Sequence, residues 1–217
     1  MTITRLLNPC AAILLLFGGA GASTAIHQPR PQSENLTTKK EVVPSITQQL
    51  KPLGDLLAQG EGDYDSVNRG YAGDTPGGMT GLTGRRLSSY TVAEVIQLQK
   101  RRLFAVGRYQ FIPRTLRFAV DTSRVDPTDL FDKSTQDRLM AALIAYKRPE
   151  ILSYLQGSHD DLSLALDELA REWASVAYRN GRSYYSTAGN RAKITRAKAS
   201  QVLQLVKNNW NDRGSLP

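Results

Sequence analysis

Cysteine is nearly absent from this chain. Its 217 residues include one, Cys10, which lies in the apolar N-terminal segment. Once that segment is removed, no thiol remains, which excludes disulfides, thiolate catalysis and cysteine-ligated metals. Histidine is almost as scarce. His27 and His159 are the two, and His159 stands in a polar turn, Gly-Ser-His-Asp-Asp, as an expected surface residue. A zinc site of the usual kinds needs more His or Cys than this, and neither metal nor other cofactor is expected. Aromatic residues make up 7% of the chain, thin provision for stacking on bases. No segment combines an amphipathic pattern with aromatics on a basic face, so nucleic acid is not an expected partner. Long apolar runs are missing as well. Ala11 to Phe17 is a short stretch, Ala-Ala-Ile-Leu-Leu-Leu-Phe, too short to span a bilayer.

What is present starts with that stretch. Arg5 precedes it and small residues follow, so residues 1–25 read as a secretory signal. Ala20-Gly21-Ala22 suits cleavage before Ser23, and Ser23-Thr24-Ala25 offers a second cut. A lipoprotein reading of Cys10 fails because the apolar stretch lies after it. Export to the periplasm or the exterior follows, with no stable membrane span after cleavage. The formal charge is +8, and removing residues 1–25 deletes Arg5 and no acid, leaving 27 bases against 20 acids, or +7. Such a balance favours polyanions, and for an exported chain the acidic polymers of a cell wall fit best.

Residues 26–44 are rich in Pro, Gln, Ser, Thr and Lys and read as a flexible linker. The folded domain is expected over 45–217. Ser45 with Gln48 makes a capping-box pattern, and Leu50, Leu53, Leu56 and Leu57 follow at helical spacing. Pro52 either kinks this helix or starts a second one, which ends near Gly60-Glu61-Gly62. Seven glycines fall between Gly62 and Gly84, so short strands, turns and one small hairpin are expected there. Thr91 with Glu94 caps the next helix, Pro113 opens another, and Ser134 can cap a third. Pro149 opens a short helix closed by Gly157. Leu162, Leu166, Leu169, Trp173 and Val176 mark a longer one, with Trp173 in the core. Tyr178 to Gly189 reads as a loop, and Lys198 to Trp210 as a closing helix. The expected class is α+β, mainly α-helical, with one small β region after the helix that ends at Glu61.

On position alone, Glu61 has two readings. Most glutamates at helix ends are solvated and do no chemistry. A carboxyl flanked by Gly60 and Gly62 can also be half-buried, and burial keeps it protonated near neutrality. That is the form a leaving glycosidic oxygen requires.

The wider pattern favours the second reading. Leu56 to Gly62 with Tyr64 and Asp65, Gly70-Tyr71, Ala105 to Gln110, Ser134 to Asp137, and Glu172 to Ser175 occur in one order between residues 50 and 187. Together they resemble the blocks of the lambda-endolysin-type lytic transglycosylases, and the segment from Tyr64 to Gly78 also looks like domains carried on phage virion proteins. The resemblance implies a lysozyme-like domain that cuts peptidoglycan glycan strands as a monomer. It makes Glu61 the general acid, then the base, in forming a 1,6-anhydro-muramyl end. Tyr109 and Gln110 would hold sugar groups, and Gly107 would let their turn approach the substrate. Tyr71 and Ser175 are further cleft candidates, and Tyr184 and Tyr185 sit in a loop of suitable character.

Alternatives stay open. Asp63 or Asp65 could face the sugar across from Glu61 and make the enzyme a hydrolysing lysozyme. A lysozyme-like module that binds wall without cutting it is a third reading. Arg182, Arg191, Lys193, Arg196, Lys198 and Lys207 have no counterpart in the resemblance; they read as a solvated helix face in preference to a polymer- or partner-binding surface.

Overall fold

A computed structural model describes residues 46–70 and 74–214, with side chains through Asn211. The expected signal, the linker, Ser45 and Tyr71 lie outside the described residues. The described chain is mainly helical. Helix α1 runs Lys51–Glu61 with Pro52 in its first turn, so the proline starts a helix and does not kink one. Leu53, Leu56 and Leu57 of α1, and Leu50 before it, are buried. This inward face packs the helix against the C-terminal helix and against a central one.

After α1 come strand β1, Val67–Asn68, and the short helix α2, Gly78–Thr83. Among the described residues, the sheet partner of β1 is not the local one expected of a hairpin. β1 pairs antiparallel with β2, Ala105–Val106, with Val67 opposite Val106. Within the glycine-rich segment, the described residues show a local antiparallel bridge, Asn68–Asp74, with the Thr75 N–H donating to the Val67 carbonyl. Asn68 and Val67 gain more from the buried Ala105-Val106 backbone than from a glycine-rich neighbour without side chains to pack.

Helix α3, Val92–Arg101, carries the full capping box of Thr91 and Glu94. α4, Pro113–Ser123, opens on its proline. α5, Lys133–Ala142, is capped by Asp132, whose carboxylate accepts from the Thr135 N–H, and not by Ser134. Asp132 lies one residue outside the helix, where a cap side chain can turn back onto the first free N–H groups. A π-helical turn, Leu143–Lys147, continues α5. α6, Pro149–Leu155, precedes the left-handed Gly157. α7, Leu162–Glu172, stops before Trp173, whose backbone is extended. The expected continuation through Val176 is replaced by bridges from Val176 to Ile194 and from Ala177 to Ser183. α8 is Arg196–Gly214.

α4 packs on α5, α6 on α7, and both α6 and α7 on α8. Their inward faces form one core in which Phe111, Phe131, Leu139, Met140, Leu166 and Leu203 are buried. Trp173 lies in it, 3% exposed, as its spacing predicts. Among the described residues, no helix is long and apolar enough to cross a membrane.

Candidate active site

Glu61 ends α1 at the wall of a cleft of about 1110 Å³. Two close approaches place it there. Gly60 lies against Ser175, and a Cβ on Gly60 would come within 2.5 Å of the Ser175 side chain. Because α7 has already ended, the Ser175 N–H is free of helix bonding and donates to Glu61 Oε1 at 3.1 Å. Had the helix run on through Val176, that N–H would belong to the helix ladder. The early end of α7 thus supplies the carboxyl with its backbone donor.

Burial raises the Glu61 carboxyl above its ordinary value. The Ser175 hydroxyl and N–H and the Lys193 ammonium pull the other way, Asp74 adds to the rise, and burial wins. The Ser175 Oγ lies beside the carboxyl but meets no hydrogen-bond geometry and is buried without a partner. Lys193 Nζ is held at 3.0 Å by the Gly60 carbonyl, where a cation also suits a helix C-terminus. It is therefore near Glu61 without forming an ion pair with it. A half-buried carboxyl with one backbone donor and no paired cation keeps its proton to higher pH than a free glutamate does and can release it to a bound oxygen.

The cleft gathers Glu61, Tyr109, Gln110 and Ser175. Their roles differ from the expectation in part. Tyr109 is almost wholly covered: it is 4% exposed, and its hydroxyl donates to Asp137 Oδ1 at 2.6 Å. It is a core tyrosine, and burial and Asp137 raise its pKa. Gln110 lines the cleft with a φ of 46°, a left-handed backbone that costs a non-glycine residue about 1–2 kcal/mol and recurs at functional sites. Its Nε2 donates to the Gly107 carbonyl, and its amide oxygen remains available as an acceptor.

Gly107 does not line the cleft. Its φ is 73°, and a Cβ there would lie 2.3 Å from Gln136 Oε1. The close approach it allows is to Gln136, not to substrate. Gln136 is fully buried. It accepts from the Arg108 N–H and donates to the Tyr64 and Phe131 carbonyls. Tyr64 and Tyr109 both donate to Asp137, and the Arg108 guanidinium lies over the Tyr64 ring at 4.8 Å while pairing with Asp55. Buried against this carboxylate, the Tyr64 hydroxyl is pushed up to about 12. Residues from three of the quoted sequence blocks therefore build one structural hub behind α1.

Asp63 and Asp65 are not among the cleft residues. Asp63 accepts from the Asp65 N–H and the Ser66 hydroxyl. Asp65 accepts from the Ser88 N–H and hydroxyl. Both shape the turn after α1. Two other carboxylates share the cleft: Glu172, which is held by Lys147 and Arg148, and Asp74, which accepts from Asn68 Nδ2 at 2.7 Å. The sequence gives no sign of Asp74 in the cleft, nor of Lys193 or of Phe104, which is 49% exposed in the cleft wall. Tyr185 lines the cleft and donates its hydroxyl to the Arg171 carbonyl, whereas Tyr184 stands outside it.

Of the C-terminal basic residues, Arg182, Arg191, Lys193 and Lys198 are exposed as expected, but the six do not share one helix face, since Arg182, Arg191 and Lys193 precede α8. Arg196 pairs with buried Asp167, Lys198 bonds Gln59, Lys207 pairs with Asp160, and Arg191 and Lys193 line the cleft. Among the described residues, no cluster of His, Cys, Asp and Glu is placed to hold a metal ion. No protein-family model, curated protein or solved structure matches the chain.

Proposed function

We propose that this protein is an exported lysozyme-like enzyme that cleaves the bond between N-acetylmuramic acid and N-acetylglucosamine in peptidoglycan, as a lytic transglycosylase. The observation that carries this reading is Glu61: a carboxyl raised by burial, in a large cleft, with one N–H donor and no ion-pair partner. Glu61 protonates the leaving oxygen, and positive charge develops at the muramic acid carbon. The resulting carboxylate then takes the proton of that sugar's C6 hydroxyl as the hydroxyl oxygen attacks the same carbon. The 1,6-anhydro ring closes, Glu61 is protonated again, and no water is consumed. Gln110 supplies an acceptor for a sugar amide or hydroxyl, and Phe104 and Ile112, both exposed in the cleft, suit the apolar face of a sugar ring.

A second reading, hydrolysis, has one observation in its favour. Asp74 shares the cleft with Glu61 and could activate water on the opposite face of the sugar. Asp63 and Asp65 are occupied elsewhere. Mass spectrometry of the sugars released from purified peptidoglycan separates the readings. Anhydro-muramyl ends, lost in Glu61→Gln by a factor of roughly 10²–10⁴, are the expected result. Reducing muramic acid ends that depend on Asp74 would favour hydrolysis. Binding without release would leave a wall-binding module.

A further inference from the structure

The cleft walls carry more charge than the proposed reaction uses. Arg69 follows β1, Lys100 and Arg101 end α3, Arg102 follows it, and Arg191 precedes α8; all five line the cleft and are exposed. Among the described residues, none has an ion pair or a side-chain hydrogen bond. Other cations of the same lining are committed: Lys147 to Glu172, Arg171 to Glu168, and Lys193 to the Gly60 carbonyl. The lining acids do not balance the five: Glu172 is taken up by its own pairs, and Asp74, bonded to the neutral Asn68 amide, offers one charge against five. A helix C-terminus favours basic residues and accounts for Lys100 and Arg101. It does not account for Arg69 and Arg191, which come from separate segments to the same cleft.

Sugar hydroxyl and acetamido groups are neutral and need no such array. The anionic groups of a glycan strand are the free carboxylates of its peptide side chains. Guanidinium groups pair with carboxylates through two parallel hydrogen bonds, and several like charges on a concave wall concentrate an anionic ligand. We propose that Arg69, Lys100, Arg101, Arg102 and Arg191 make this cleft selective for peptide-bearing glycan, by binding the carboxylates of the peptides that flank the scissile bond. This rests on the glycan-cleaving reading given above.

The test compares two materials with the purified full-length protein: peptide-bearing glycan strands, and the same strands with their carboxylates capped as methylamides. Release of products is followed at low and high salt. Capping is expected to lower kcat/KM about tenfold, mostly through KM, as the sum of several exposed charge contacts. High salt should erase the difference. Arg101→Gln/Arg102→Gln, and separately Arg191→Gln, should bring the ratio of the two rates toward one. Equal cleavage of both materials at low salt would overturn the selectivity and leave the glycan-cleaving reading standing. A variant that loses the same factor on both materials would also overturn it. Cleavage of neither material would instead remove the reading on which it rests.

Discussion

Two glutamates face the same cleft and are treated in opposite ways. Glu172, at the end of α7, is held by Lys147 at 2.6 Å and Arg148 at 2.8 Å. Arg148 reaches on to Glu168, which also pairs with Arg171. This is a closed network of fixed charges that ties α7 to the π-helical turn after α5. Glu61, at the end of α1, has one backbone N–H and a lysine whose ammonium is turned to a carbonyl. Burial therefore costs Glu172 little, because cations compensate it, and it costs the ionised form of Glu61 a good deal. A carboxyl kept from its partners is available for proton transfer; one enclosed by partners holds structure.

The comparison can be broken from either side. The largest stability effect is expected at the paired end. Glu172→Ala leaves Lys147 without an ion-pair partner and Arg148 with Glu168 alone, at side-chain exposures of 31% and 19%. A loss on the order of 3 kcal/mol is expected, the low end of the range for half-broken buried pairs. Urea unfolding measures it; a loss below about 1 kcal/mol would place the network among ordinary surface pairs. Gly107→Ala comes next. The left-handed backbone and the contact with Gln136 Oε1 should cost about 2 kcal/mol together, with the hub behind α1 loosened. Unchanged stability there would mean that the hub adjusts freely.

The smallest effect belongs to Glu61 itself. Its folded-state carboxyl is raised, so the stability that goes with its protonated form is complete below the ordinary carboxylate range and is lost as pH rises through the raised value. Glu61→Gln removes that loss. The variant should match the parent in acid and become the more stable of the two as pH rises through that window, measured by urea unfolding at stepped pH. A variant less stable at neutral pH would mean that the Glu61 carboxylate contributes to the fold.

Local chemistry was legible in the sequence and long-range chemistry was not. The Thr91–Glu94 box, Pro113, Pro149 and Gly157 mark helix ends through groups within a few residues of each other, and the structure places them so. The apolar spacing of α1 gave its buried face. The pairing of β1 with β2 joins residues nearly forty positions apart, which no local pattern encodes. Trp173 has a core residue's spacing, yet its burial does not require a helix, and α7 ends just before it. The site divides likewise. Glu61 stood out at a glycine-flanked helix end. The donor from Ser175, the neighbouring Lys193 and the cleft position of Asp74 depend on segments brought together by the fold. Tyr109 and Gly107 lie in a sequence block suited to a cleft, and the structure turns both toward Asp137 and Gln136 behind it.

The most direct test is a titration of the Glu61 side chain, following glutamate carboxyl carbons by NMR and assigning its signal by its disappearance in Glu61→Gln. The account predicts a midpoint above the ordinary glutamate range. A midpoint at or below that range would mean that Glu61 is an ionised carboxylate at neutral pH, and would contradict its role as the acid.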